Sequence, residues 1–356
     1  MDLTNSYMLA SGIILSGNGF LSERGYSVLT PYLVPLGAPK RVNVGDGFIL
    51  DSAIQLIGFP PRHQFSSRVT VGGQHIERIN ETRCLVVAGA NSLKDDLTFA
   101  PGFDRTTLEK IRVPVIALGL GLHEDHTLTR GLTSESARFV SAMLERFPLF
   151  SVRCAMSADY LRAGLADRAE AVVMTGCPVA FPVDDVDRGF QRKAVYGLVV
   201  VTVTDRDVGR LQEQVNIMHA ARRLLPARRY VLALHQSPCD ETLIAEAARL
   251  GIDVFDSADY SSYLSLYAAA DAHFGNRVHA HLKCLSMGIP SFLVPYDRRH
   301  EGFAHTFDFP LIDADAESQI AHYDFARFEG RMHTYRPMMS DYIARIRTII
   351  GKDGRA

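Results

Sequence analysis

The chain has 356 residues, 47% of them apolar and 22% charged, with 38 lysines and arginines against 40 aspartates and glutamates. That length favours two domains over a single core, and the ordinary apolar content excludes disordered and collagen-like chains. The net charge of -2 supplies no basic field for non-specific binding, so nucleic acid is not an expected partner.

The cysteines at 84, 154, 177, 239 and 284 are scattered and contain no C-x-x-C pair. Neither a disulfide framework nor a zinc site is expected, and a reducing compartment fits. Residues 7–15 are too short and too broken by Ser and Gly for a signal or a membrane span. The longest apolar run, 195–203, falls far below the ~20 residues of a transmembrane helix. A cytoplasmic protein is expected, with room for peripheral contact at the inner face of the membrane.

In chain order, residues 1–30 are rich in Gly, Ser and Asn and predict irregular structure or a hairpin. A first strand is predicted over 32–36. Strand–loop–helix grammar follows at Asn43-Val-Gly45-Asp46, where Gly45 permits a tight turn and Asp46 is a natural N-cap for a helix to Ile57. Buried strands are predicted over 84–89, ending at Gly89, and over 113–118, ending in Gly119-Leu-Gly121. A helix over 134–144 precedes a strand over 149–153 with Arg153 at its end. A helix over 157–163 stops at Gly164, and a strand over 171–174 runs into Thr175-Gly-Cys177-Pro178. Apolar strands alternating with helices predict a parallel sheet covered on both faces.

The polar, aperiodic segment 183–193 predicts a linker between an N-terminal domain (1–182) and a C-terminal domain (194–330). The second series has strands over 196–204, 230–234, 253–255, 272–275 and 291–294. Its helices are predicted over 208–225, 241–250, 261–270 and 278–286. The tail, 331–356, carries an amphipathic helix over 335–350 and is expected to pack back on the first domain. The predicted fold is α/β, two Rossmann-like doubly wound domains facing across a cleft, with strand C-termini of both halves at the ligand site.

The stretch 271–296 is the richest in chemistry. Arg277 and His279 stand where a strand ends and a helix begins, beside unpaired N–H groups and a positive dipole end. They lie two apart and share no helical face, but at a turn both can point into the crevice. His273, His279 and His281 crowd this turn. A metal site is the sharper alternative, yet there is no H-x-x-x-H spacing and Asp271 is the sole nearby carboxylate. Arg153 is either a solvated or carboxylate-paired strand-exit arginine or a ligand contact. Residues 296–303 are a solvated charge run or an exit that aims Arg299 at the cleft. The turns Asn43-Val-Gly45-Asp46 and Gly119-Leu-Gly121 either let a ligand approach the backbone or serve packing. The second is not G-x-G-x-x-G, since position 124 is Glu, and a Walker lysine is absent. Cys177 reads as a small buried residue rather than a nucleophile. Three arginines and one histidine converging on a cleft suit a small polyanion.

On these residues the chain resembles the polysaccharide pyruvyl transferase family. The elements that carry the resemblance are Asn43-x-Gly45-Asp46-x-x-Ile49, Gly119-x-Gly121, Ser151-Val-Arg153 with a helix ending Leu161-Arg-x-Gly164, Thr175-Gly-Cys-Pro178, Arg277-x-His279-Ala with Gly288-Ile-Pro290, and Tyr296-Asp-x-Arg299-x-x-Gly302-Phe303. They span residues 40 to 310. The resemblance implies a GT-B-like fold and a transferase of exopolysaccharide biosynthesis. Phosphoenolpyruvate would be co-substrate, with no cofactor or metal, and a sugar or lipid-linked glycan the acceptor. The products are a cyclic pyruvate ketal and phosphate. Arg153, Arg277 and His279 are the implied catalytic residues and Arg299 a substrate-binding one. Asn43, Gly45, Asp46, Gly119 and Gly121 join the latter as the turns a ligand can approach. Two departures stand out. Gly89 is followed by Ala-Asn-Ser-Leu instead of the family's run of glycines, and Arg299 stands where lysine is common. The alternatives are a GT-B glycosyltransferase using a nucleotide sugar, or a non-catalytic glycan- or polyanion-binding relative.

Overall fold

The computed structural model describes residues 24–32, 43–89, 91–123, 131–182, 189–205, 208–236, 240–257, 260–313 and 316–351. In chain order the strands are β1 (Ser27–Thr30), β2 (His63–Ser66), β3 (Leu85–Ala88), β4 (Val115–Leu118), β5 (Phe150–Val152), β6 (Val172–Met174), β7 (Tyr196–Thr202), β8 (Ala227–Ala233), β9 (Asp253–Phe255), β10 (Ala272–Gly275) and β11 (Ser291–Leu293). The helices are α1 (Val44–Ile57), α2 (Gly73–Asn80), α3 (Arg105–Lys110), α4 (Ser134–Leu144), α5 (Ala155–Gly164), α6 (Leu211–Leu224), α7 (Glu241–Arg249), α8 (Tyr260–Ala268), α9 (Val278–Ser286), α10 (Arg298–Phe307), α11 (Ala316–Ala321) and α12 (Phe325–Gly351).

The strands form two parallel sheets, ordered β2-β1-β3-β4 and β11-β10-β7-β8-β9. A parallel β5–β6 pair extends the first sheet through the bridge between Leu120 and Val152. Parallel strands need covered faces. The central run Val199, Val200 and Val201 accordingly has no exposure at all.

One core cluster belongs to the first half alone. The other runs from Val28, Phe48 and Ile116 in the first half to Val199, Tyr267 and Phe292 in the second. Helix α1 is the joint. Its Phe48 ring meets His235, Tyr260 and Tyr267 at centroid distances of 5.5–5.9 Å. Its first amide, Val44 N, donates to His235 O at 3.0 Å. Helix α12 returns to the first half, where Tyr342 Oη donates to Ala117 O at 2.5 Å. Arg347 closes the far end of α1, with Nε to Ile57 O at 2.9 Å and Nη2 to Leu56 O at 2.8 Å. Among the described residues no helix is long and apolar enough to cross a membrane.

Three expectations change. The first strand is Ser27–Thr30, inside the stretch read as irregular, and Tyr32 lies in the turn after it. Its four residues are all buried between β2 and β3, and pairing neighbours, not composition, make it a strand. Residues 33–36 and most of the linker, 183–188, lie outside the described residues. The N-cap of α1 is Asn43, whose Oδ1 accepts from Gly45 N at 3.0 Å, and Asp46 stands in the first turn. The charged run at 296–303 is a helix start. Asp297 caps α10, accepting from Arg299 N at 2.8 Å.

Candidate functional site

The strand exits of both sheets meet at a cleft of about 1050 Å³. The first half contributes Asn43, Gly45, Asp46, Arg68, Asn91 and Lys94 to its wall, and the second half Arg210, Arg277, His279, Asp297, Arg299 and His300. Five of its lining residues are arginine or lysine and two are aspartate, so the cleft favours an anion.

Arg277 is the N-cap residue of α9, as its place in the sequence predicts, but its side chain is committed. Nε donates to Val203 O at 2.7 Å, and Nη2 donates to Gln236 Oε1 at 3.1 Å. Nη2 also pairs with Asp205, a carboxylate with no exposed side-chain surface. Asp205 is held in turn by Gln236 N at 2.8 Å. Arg277 thus lines the cleft with its charge balanced from behind.

Two residues on, His279 faces the first half. A Cβ on Gly45 would lie 3.1 Å from its Nδ1, so the glycine allows α1 to press against the imidazole. The edge of the ring meets Phe303 at 6.2 Å. The residue as a whole is half-buried, but Nε2 is covered and has no hydrogen-bond partner among the described residues. Burial, reinforced by Arg153 and Arg299, pushes its pKa well below the ordinary histidine value, so the imidazole rests neutral.

Arg153 is a buried cation, 2% exposed. Nη2 donates to Asn91 Oδ1 at 2.6 Å and to Leu122 O at 3.2 Å, while Nε has no partner among the described residues. The guanidinium lies 5.1 Å from the Phe303 ring centroid of the opposite half. Burial, and then the neighbouring Arg299, lower its pKa.

Arg299 is gripped by Asp297, with Nε to Oδ1 at 3.0 Å and Nη2 to Oδ2 at 2.5 Å. Burial works against the Asp297 charge. The hydrogen bonds of His300 and Arg299 outweigh it and hold the carboxyl below the usual range. His300 Nε2 donates to Asn276 O at 2.8 Å, which ties this grip to the α9 turn.

Gly119 and Gly121 do not line the cleft. A Cβ at Gly121 would sit 1.8 Å from Arg153 Nε, and one at Gly119 would sit 2.6 Å from Pro178 Cδ. Gly121 clears the path of Arg153, and Gly119 clears the Thr175–Pro178 turn, so packing and not ligand approach explains both. His273 and His281 share Ser291 Oγ, each through Nδ1 at 2.7 Å, in the floor beneath α9. No cluster among the described residues has the makings of a metal site. Burial pushes the Cys177 thiol up to about 11, which suits a packing residue.

Asp205, Asn91 and Lys94 were not read from the sequence. Two of them carried a signal, since Asp205 and Asn91 lie just past the ends of β7 and β3 as Arg153 lies just past β5.

The family model for polysaccharide pyruvyl transferase matches residues 43–298. No curated protein matches the sequence significantly. Among solved structures, an assigned UDP-N-acetylglucosamine 2-epimerase from Listeria monocytogenes is similar at 12% identity and TM-score 0.50, over 90% of this chain and 91% of that one. UDP-GlcNAc 2-epimerase from Neisseria meningitidis gives 12% identity and TM-score 0.43, over 85% and 88% of the two chains. A variant of the wall teichoic acid polymerase TagF gives 11% and 0.47, over 92% and 89%. The Listeria likeness shows the fold alone, two GT-B-like α/β domains.

Proposed function

Since the chain belongs to the polysaccharide pyruvyl transferase family, we propose that it moves the pyruvyl unit of phosphoenolpyruvate onto two hydroxyls of a sugar in a polysaccharide or its precursor, giving a cyclic ketal and phosphate. The observation that carries this reading is Arg153. A guanidinium buried at 2% exposure has, among the described residues, only neutral hydrogen-bond acceptors and no ion pair. Burying a lone cation costs several kcal/mol, and a small anion bound beside it offsets that cost. Phosphoenolpyruvate brings a carboxylate and a phosphate to Arg153, Arg299 and Arg277.

One sugar oxygen bonds to C2 of phosphoenolpyruvate while C3 gains a proton from His279 and becomes a methyl group, and the proton of that first hydroxyl returns to the imidazole. The C2–O bond to phosphate breaks, the second sugar oxygen bonds to C2, and its proton leaves with the phosphate. The arginines stabilise charge on the departing phosphate. His279 is assigned the proton that reaches C3. It rests neutral, and the anion beside it reverses the field of Arg153 and Arg299, so the imidazole takes up a proton as the substrate binds. We assign the acceptor to the wall formed by Asn43, Asp46 and Lys94, and we place the protein in the cytoplasm, where phosphoenolpyruvate is met.

Phosphate release from phosphoenolpyruvate across a panel of glycan acceptors, with product mass as readout, tests the reading. A product heavier than the acceptor by one pyruvic acid less one water supports it. Glycosyl transfer from a nucleotide sugar with release of the nucleotide, and no phosphate from phosphoenolpyruvate, would overturn it.

A further inference from the structure

Arg153 forms no ion pair among the described residues, and Asn91 is the one side chain that accepts a hydrogen bond from it, at 2.6 Å. The other acceptor is the Leu122 carbonyl, at 3.2 Å, and Nε lies against Gly121 with no acceptor among the described residues. Asn91 also stands on the cleft wall. It belongs to the loop between β3 and β4, which carries Leu93 into a bridge with Leu122. That bridge is anchored by Leu93 N to Gly121 O at 3.0 Å, so the loop is registered against the backbone that Arg153 crosses.

The residue type matters here. Aspartate has the shape of asparagine and would offer the same oxygen at the same place. It would also supply the carboxylate that a buried guanidinium calls for, and a paired cation is far less costly to bury than a lone one. A position selected for stability alone would favour the acid. Arg277 shows the contrast on the cleft wall itself, since its guanidinium is backed by the buried carboxylate of Asp205.

We infer that Asn91 is a positioning and specificity residue: its neutral amide oxygen aims the Arg153 guanidinium without neutralising it, so the counter-charge must come from the bound anion. The inference rests on the reading above in taking phosphoenolpyruvate as that anion, but its electrostatic core holds for any small dianion. Two kinds of arginine therefore serve the cleft. Arg277 lines the wall with a balanced charge, and Arg153, buried behind the lining residue Asn91, is kept short of a partner until ligand arrives.

The test uses the full chain with Asn91→Asp and Asn91→Ala. Thermal melting without ligand is compared with calorimetric binding of phosphoenolpyruvate and of inorganic phosphate, and with phosphate release. Asn91→Asp is expected to melt at or above the parent temperature while its affinity for both anions falls ~100-fold, equivalent to about 2.7 kcal/mol. A merely structural role moves stability and affinity together, so the opposed signs are the signature. Asn91→Ala keeps the charge but loses the aim, and is expected to raise the phosphoenolpyruvate KM and lower kcat, each by about tenfold. Parent-like anion binding by Asn91→Asp overturns the inference. If that variant fails to fold, parent-like KM and kcat in Asn91→Ala overturn it instead. The two readings separate cleanly. A parent protein that binds phosphate but never turns over phosphoenolpyruvate sinks the donor assignment, while loss of phosphate binding in Asn91→Asp still upholds Asn91. A protein that turns over phosphoenolpyruvate, with an aspartate variant that does so equally well, sinks Asn91 alone.

Discussion

Thr306 Oγ1, on α10 of the second half, accepts the first amide of α5 in the first half, Ala155 N, at 2.9 Å. The same hydroxyl donates to Gly302 O at 2.7 Å, so its proton is already placed and its lone pair faces Ala155. The helix that follows Arg153 is therefore fixed at its start by the helix that follows Arg299. Thr306→Val keeps the shape and removes both bonds. It should lower stability by ~1–3 kcal/mol, since Ala155 N–H is left without an acceptor, and it should raise the phosphoenolpyruvate KM. Chemical denaturation and steady-state kinetics on the one variant check both.

Arg153 and Arg277 should separate under the same substitution. Arg277→Met strands the buried Asp205 carboxylate, and breaking a buried pair from one side costs ~3–5 kcal/mol. Arg153→Met strands no carboxylate, so it should leave stability near the parent value or raise it while abolishing phosphoenolpyruvate binding. Equal destabilisation by both variants would contradict the contrast.

His279→Gln should reduce turnover by ~10²–10⁴-fold, the usual worth of a positioned acid or base, with phosphoenolpyruvate affinity retained. Because the resting imidazole is held neutral by burial and by Arg153 and Arg299, phosphoenolpyruvate binding near neutral pH should take up a proton. Calorimetry in two buffers of different ionisation enthalpy measures that uptake, and it should vanish in the variant.

Acid should unfold the protein in two stages. Burial lowers the pKa of His235, His273, His279 and His281, with His273 pushed down to about 3. A histidine with a depressed folded pKa leaves stability untouched above its unfolded value. Below about 6.5 the unfolded chain binds a proton that the folded one refuses, at ~1.4 kcal/mol per pH unit for each such group. Asp297 acts later, at lower pH, because its carboxyl is likewise depressed and contributes stability that is present above about 3.9 and lost as pH falls through the folded value. Denaturation midpoints from pH 8 to pH 4 should decline from the mid-sixes onward. A flat profile down to pH 5 would contradict the histidine account.

Gly121→Ala should be more harmful than its size suggests. The added carbon would fall 1.8 Å from Arg153 Nε, so the guanidinium must leave its place between Asn91 and Phe303. Loss of phosphoenolpyruvate binding alongside a lowered melting temperature is the expected pair of results.

The elements nearest the site were legible because local pattern and burial agree there. The strand over 272–275, the helix over 278–286 and the helix over 134–144 fall where alternation and helical spacing put them. Arg277 and His279 were found by the same logic, since strand ends in open parallel sheets gather ligands. What stayed hidden depends on chain-distant contacts. Asn43 displaced Asp46 as the cap because Val44 N is taken up by His235 O, far along the chain. Gly121 looked like a ligand turn, and only the course of Arg153 shows what it makes room for. The pairing of Arg277 with Asp205 spans 72 positions. No spacing rule reaches that far.

The return of α12 has a consequence for how the chain is made. Tyr342 and Arg347 complete hydrogen bonds for Ala117, Leu56 and Ile57. Met339, Ile343, Ile346 and Ile350 are buried in the core cluster that also holds Val28, Phe48 and Ile116. The first half leaves the ribosome early, yet the part of its core that Met339, Ile343, Ile346 and Ile350 complete stays open until α12 has been synthesised. Its maturation therefore waits on the synthesis of α12. A nascent chain stalled or cut before residue 331 would present that open core to chaperones and to aggregation.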